Sequence, residues 1–264
     1  MNITLIGFGS IGRSLYRHAG QERAWRINAI IASQRSAEKV RKIMPNNVDV
    51  VTTVGDLQSA PDMVVECAGH DAVEMHGLDV LRLGWPLLVV SVGALADKAL
   101  YDELKIAAEE YGTRISLLAG ALAGIDGIAA ARQTGLDKVM LTSRKPPRAW
   151  QGTPAEKVVD LNNLCEPKLI YEGTARMAAR DYPKNANTAA TVSLAGLGFD
   201  RTKVRLYADP MISCNCHQVV AEGSFGKLEI AIENKPIPDN PKTSMMTVLS
   251  IMRCLDNVCA SIAI

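Results

Sequence analysis

From Asn2 to Leu118 the chain alternates short apolar runs with helix-length amphipathic segments, and few folds accept that rhythm. The runs Asn2–Ile6, Arg26–Ala32, Val48–Thr52, Met63–Cys67, Leu87–Val90 and Arg114–Leu118 are rich in Val, Ile and Leu. Several are apolar nearly throughout, as strands covered on both faces must be. The clearest helical pattern runs from Asp97 to Tyr111, with Leu100, Leu104, Ala107, Ala108 and Tyr111 on one stripe and Gly112 as a stop signal. Strands and helices in this order require right-handed crossovers, so residues 1–120 are expected to form a doubly wound parallel α/β sheet.

The texture changes after Gly120. Residues 121–133 read as a small-residue helix entered through a glycine-rich loop. Val139–Arg144, Lys168–Gly173, Lys203–Asp209, Ile212–Glu222 and Lys227–Glu233 then read as strands, the last two joined by a hairpin at Gly223–Gly226. One further helix, about Asn187 to Leu197, lies between them. Residues 121–240 are therefore expected to form a second, α+β, mostly antiparallel domain for substrate and catalysis, whose sheet offers a surface for a homodimer. Asn240-Pro241 reads as an N-cap with proline in the first helical position. The helix of residues 241–264 would carry Met245, Val248, Leu249, Met252 and Leu255 on one stripe, returning to the first domain or to the seam between domains.

Lys+Arg 29 against Asp+Glu 28 leaves a net charge of +1, which provides no field for nucleic acid or an anionic membrane. The longest apolar run, residues 87–96, is half the ~20 residues a membrane helix requires. Met1 leads straight into a strand pattern, so no leader and a cytoplasmic location are expected. Six cysteines spread over so long a chain suit reduced thiols. Cys214-Asn215-Cys216-His217 has no second ligand pair at zinc-site spacing, so no metal is expected.

Gly7-Phe8-Gly9-Ser10-Ile11-Gly12 follows the first strand and opens a helix. Gly7 serves the tight turn, Gly9 admits a pyrophosphate to the backbone, and Gly12 permits close packing of helix on strand. The amides around Gly9, Ser10 and Ile11, with the helix dipole, offset diphosphate charge. Strand, turn and helix together point to a Rossmann-like dinucleotide-binding domain. An NAD-preferring site usually has an acid ~20 residues further on, at the end of the second strand. Here Ile31-Ala32-Ser33-Gln34-Arg35-Ser36 has none, and Ser33 and Arg35 can donate to a 2′-phosphate. NADP is expected to be accepted, with NAD still usable. Val64-Val65-Glu66-Cys67-Ala68-Gly69-His70 ends the fourth strand, and the small Ala68 leaves space for the cofactor.

A nicotinamide enzyme must also manage one proton. Of the four histidines, His18, His70 and His76 fall in the first domain, while His217 lies in a strand of the second. Its imidazole suits acid–base work at neutral pH.

The whole chain resembles the L-aspartate dehydrogenase family. The carriers are Gly7–Gly12, Ala119-Gly120-Ala121-Leu122-Ala123-Gly124-Ile125-Asp126, Ser143-Arg144-Lys145-Pro146-Pro147, Tyr182-Pro183-Lys184-Asn185-Ala186-Asn187 and Asn215–His217. Segments 119–125 and 213–217 vary from the family pattern, while Ala121 and His217 keep their places. The resemblance implies interconversion of L-aspartate with oxaloacetate and ammonia through iminosuccinate, using NAD or NADP. It makes Ala121 and Asn187 cofactor contacts and His217 the catalytic residue. Oxidation would make iminosuccinate available to nicotinamide biosynthesis; the reverse direction would assimilate ammonia.

Two substrate carboxylates require cations. Arg144, Lys145, Arg148, Arg180 and Lys184 are the local supply, with Lys184 the first candidate and Arg144 and Lys145 next. Two alternatives stay open: a related reductase of homoserine or dihydrodipicolinate type, and a noncatalytic NAD(P)-binding sensor.

Overall fold

The six apolar runs of the amino-terminal half form one sheet in the computed structural model, which describes residues 1–19, 23–183, 187–238 and 240–264, without the side chains of residues 241 and 242. The strands are β1 (Asn2–Ile6), β2 (Arg26–Ile31), β3 (Asp49–Val51), β4 (Met63–Glu66), β5 (Leu87–Val89) and β6 (Ile115–Leu117), in spatial order β3-β2-β1-β4-β5-β6. Every pairing is parallel. Ile3, Leu5, Val64, Val65, Leu87 and Leu88 are buried, which is why these strands carry almost no polar alternation. Helices α1 (Ser10–His18), α2 (Gln34–Ile43), α3 (His70–Arg82) and α4 (Lys98–Glu110) make connections between the strands. Strand order reverses between β1 and β4, the switch point where such sheets take ligands.

Asp97 caps α4, its carboxylate accepting from the amides of Ala99 and Leu100. The helix buries Leu100, Leu104, Ala107 and Ala108. Tyr111, expected on the same stripe, is instead exposed beyond the helix end, where Gly112 takes φ +62.

The carboxyl-terminal half contributes α5 (Ile125–Ala131), β7 (Leu136–Lys145), β8 (Lys168–Thr174), α6 (Ala175–Asp181), α7 (Asn187–Ala195), β9 (Lys203–Ala208), β10 (Asn215–Gly223) and β11 (Gly226–Asn234). Their sheet has the order β11-β10-β7-β9-β8. Three pairings are antiparallel and one, β7 with β9, is parallel. Alternation puts Val139, Leu141, Ser143 and Lys145 of β7 on the buried face, as it does Asn215, His217, Val219 and Ala221 of β10.

Several boundaries differ from expectation: the helix expected over residues 121–133 is the shorter α5, Ile125–Ala131. β10 starts at Asn215, not Ile212, because a turn intervenes in which the Asp209 carboxylate accepts the Met211 amide. Asn240-Pro241 does not open a helix. Residues Asn240–Ser244 form β13, paired with β12 (Pro236–Ile237), and α8 (Met245–Cys259) begins only afterwards. Proline without an N–H fits the rim of a two-stranded ribbon as well as a helix start. The stripe shifts accordingly: α8 buries Val248, Ile251, Met252 and Leu255, whereas Leu249 is 43% exposed.

The chain divides into two compact units, Met1–Leu118 with Val248–Ile264, and Ala119–Thr247. Asp256 of α8 accepts from Arg23 at 2.9 and 2.6 Å and from the Trp25 indole at 2.7 Å, all within the first unit. Among the described residues no helix is long and apolar enough to cross a membrane.

Candidate active site

In the first unit the glycine turn is held from behind. Gly7 takes φ +95, and a Cβ there would lie 2.6 Å from Ala68 Cβ. A Cβ on Gly12 would lie 2.7 Å from the Gly7 carbonyl oxygen, so α1 can approach the turn only without a side chain. Gly9, the residue before α1, faces open space: nothing lies within 4 Å of a Cβ built on it. The helix start has no side-chain cap either. An anion near Gly9, Ser10 and Ile11 therefore meets amides and the positive end of the helix dipole, and these residues fit a dinucleotide diphosphate.

Glu66, fully buried at the end of β4, braces the neighbouring loops. Its Oε1 accepts from the Ala68 amide (2.8 Å), the Gly69 amide (2.9 Å) and the Ser91 hydroxyl (2.8 Å), and its Oε2 from the Ser91 amide (2.9 Å). One carboxylate thus ties the loop after β4 to the loop after β5, and exposed Ala68 is presented by that brace. Ser33 and Arg35 are exposed just past β2, with the Ser33 and Ser36 hydroxyls 2.8 Å apart.

In the second unit His217 and Ser143 sit opposite each other in the β10–β7 ladder, with His217 Nδ1 2.9 Å from Ser143 Oγ. His217 is only 3% exposed. Burial first, and then the charge of Lys145, lower its pKa from 6.5 to about 3. The ring is consequently neutral at physiological pH. With the proton on Nδ1 donated to Ser143, Nε2 keeps a lone pair and can accept a proton. Lys145 is 4% exposed on the same face, with its ammonium 5.6 Å from the Trp150 ring centroid. The Trp150 indole donates to the carbonyls of Lys145 (3.3 Å) and Tyr207 (3.1 Å), fixing that wall.

Arg144, one residue away, belongs to the opposite face. It donates through Nε (2.9 Å) and Nη2 (2.6 Å) to buried Asp209 and lies over the Tyr207 ring. Arg180 pairs with Asp181, and Arg148 is exposed. Lys184 lies outside the described residues. Asn187 is the first residue of α7. Ala121 is buried, and its carbonyl accepts from Asn234 Nδ2 at 2.8 Å. Sequence reasoning gave no supporting role to Ser143 or Asn234 and named no partners for Glu66; Ser143 and Glu66, inside quoted motifs, carried some signal, and Asn234 carried none.

The uncapped helix start at the switch point of the first unit fits a dissociable nicotinamide dinucleotide, and the second unit by itself supplies a buried neutral imidazole near a cation, the two provisions a nicotinamide-dependent dehydrogenase needs. Family models match residues 7–118 (homoserine dehydrogenase, NAD binding domain) and residues 126–258 (aspartate dehydrogenase, C-terminal). The chain belongs to the aspartate dehydrogenase family and is an oxidoreductase using NAD or NADP. It is 47% identical to an L-aspartate dehydrogenase of Pseudomonas aeruginosa and 45% identical to one of Cupriavidus necator, each over 100% of both chains. The crystal structure of aspartate dehydrogenase from Thermotoga maritima superposes with a TM-score of 0.76 at 26% identity, covering 100% of this chain and 99% of that one.

Proposed function

We propose that the chain oxidises L-aspartate to iminosuccinate, which hydrolyses to oxaloacetate and ammonia, and catalyses the reverse reaction. The observation that carries this reading is the buried His217–Ser143 pair beside Lys145, in a chain whose relatives bear that activity in their names.

Bound nicotinamide supplies a hydride acceptor for the substrate α-carbon. The rest falls to the protein. Aspartate's ammonium must lose a proton before its nitrogen can share electrons with the α-carbon, and neutral His217 takes that proton at Nε2. Lys145 holds a substrate carboxylate. That pairing also offsets the ammonium charge that suppresses His217 protonation, so the imidazole can retain the proton it has accepted. His217 then returns it as water adds to the imine. Ser143 keeps the ring in the tautomer that exposes Nε2. Lys184 stays a candidate for the second carboxylate, while Arg144 is engaged by Asp209.

Gly7, Gly9, Ser10, Ile11 and Gly12 hold the diphosphate in this proposal. Ser33 and Arg35 receive the adenosine ribose or its 2′-phosphate, and Ala68, Ala121 and Asn187 lie along the nicotinamide half. The amino-terminal unit carries the cofactor and residues 119–247 carry the substrate. We place the reaction in the cytoplasm, with iminosuccinate available to nicotinamide biosynthesis in the oxidative direction. Two copies pair as a homodimer: β11, nine residues long, forms one edge of its sheet, and such an edge is a template for a second chain. Light scattering of the purified protein tests the pairing.

The deciding experiment follows nicotinamide absorbance with aspartate, malate and homoserine against each cofactor. Aspartate-dependent reduction is expected. Activity confined to homoserine, or cofactor binding with no turnover on any of the three, overturns the proposal.

A further inference from the structure

Cys214 and Cys216 flank Asn215, the first residue of β10, three and one residues before the imidazole. Their sulfurs are 3.5 Å apart, against ~2.05 Å in a disulfide, and both are half-buried, so a small oxidant reaches them. Cys67, Cys165 and Cys259 meet backbone carbonyls instead of a second sulfur. Cys216 lies on the face opposite His217, across from Arg144 on one side and Glu233 on the other. We propose that this pair is an oxidation site: a hydroperoxide converts it to a Cys214–Cys216 disulfide, and the strand start that carries His217 shifts with it.

The chemistry takes two steps. The Cys214 sulfur attacks one peroxide oxygen; an S–O bond forms, the O–O bond breaks, and alcohol or water leaves with the thiol proton. The Cys216 sulfur then attacks the sulfenic sulfur; the S–S bond forms, the S–O bond breaks, and water carries away the second proton. Two thiols are oxidised by two electrons, and the peroxide is reduced by two. Burial and the hydrogen bond to Cys214 push the Cys216 thiol up to about 12. It holds its proton, so Cys214 attacks first, and Cys216, with its sulfur 3.5 Å away, is in reach to resolve.

A bridge spanning a single residue is strained, and strained bridges are readily reduced. Closure draws in the backbone around Asn215, whose buried amide donates to Ser244 Oγ at 3.3 Å, and His217 follows directly. The effect on turnover rests on the acid–base reading of His217; the thiol chemistry does not.

The test treats reduced full-length protein with hydrogen peroxide, blocks remaining thiols with iodoacetamide and weighs the peptide containing residues 214 and 216. The expected peptide is two hydrogens lighter and unalkylated at both sulfurs. Turnover should fall at least ~10-fold, with the ~10²–10⁴ that acid–base help supplies as the ceiling, and recover with dithiothreitol. Cys216→Ser should trap a sulfenic acid at Cys214 that dimedone labels, and Cys214→Ser should leave position 216 unlabelled. A doubly alkylated peptide after peroxide, or labelling at Cys216 in the Cys214→Ser variant, overturns the proposal. A disulfide with unchanged turnover rejects the coupling to His217 and upholds the oxidation site. If aspartate is not turned over even by reduced protein, the functional reading fails while the peptide mass still answers for the thiols.

Discussion

An imidazole with a lowered pKa stands deprotonated and available, but it is a weak base until its surroundings change. His217 owes its low proton affinity first to burial and then to Lys145. In aspartate oxidation the acid limb of kcat/KM should therefore lie well below the ~6.5 of an ordinary histidine. Lys145→Met removes the repelling charge, so the limb should move up toward neutrality while the aspartate KM rises. A wild-type limb already at the ordinary value would refute the environment described for the ring. His217→Ala should lower kcat at least tens-fold, from the loss of ~10²–10⁴ of acid–base help, with cofactor affinity by fluorescence titration nearly unchanged. Ser143→Ala removes the Nδ1 partner, worth ~0.5–1.5 kcal/mol, so a roughly 2–10-fold loss in kcat is expected. The histidine stands out in the sequence as the one imidazole of the second half, but it is the resemblance to the aspartate dehydrogenase family that makes it the catalytic candidate. Its partner does not stand out, since Ser143 lies 74 residues away and only the β7–β10 ladder brings the two together. The same ladder separates Arg144 from Lys145: neighbours in sequence, they stand on opposite faces, which a count of nearby cations does not reveal.

At the scale of elements, the glycine turn and its helix act together. Gly12→Ala puts a methyl group against the Gly7 carbonyl, an overpacking that costs ~1–3 kcal/mol. A lower melting temperature and a raised KM for both cofactors are expected, with kcat at saturating cofactor little changed. Arg35→Ala acts differently, since Arg35 is exposed in the first turn of α2, just beyond β2. It should raise the KM for NADP much more than for NAD; equal changes would remove Arg35 from the cofactor site. The strands of the first unit were readable because a parallel strand covered on both faces must be apolar throughout, a pattern that needs no knowledge of its partners. The segments misread were those where one local signal serves two structures. Pro241 suits a helix start and a ribbon rim alike. Alternation across Ile212–Cys214 looks like a strand until Asp209 closes a turn on Met211. Glu66 could not be read as a brace because its four donors converge on it only after two loops have folded.

For the whole molecule, a buried neutral histidine links the catalytic ring to acid stability. In the unfolded chain His217 titrates near ~6.5, whereas in the fold it resists protonation down to about 3. Between those values the unfolded state binds the extra proton, so stability falls as pH falls. Its contribution is complete above the unfolded value and is lost progressively toward the folded one. His217→Gln removes that linkage. Melting temperatures of the two proteins, followed by circular dichroism, should fall at different rates as the buffer is taken from about pH 7 to about pH 4, with the wild type losing more. Other groups titrate in this range too, but they are common to both proteins and cancel in the comparison. Parallel curves would mean that the ring takes up its proton as readily in the fold as in the unfolded chain. The same measurement therefore bears on catalysis, because a ring that is protonated before substrate arrives cannot accept the ammonium proton.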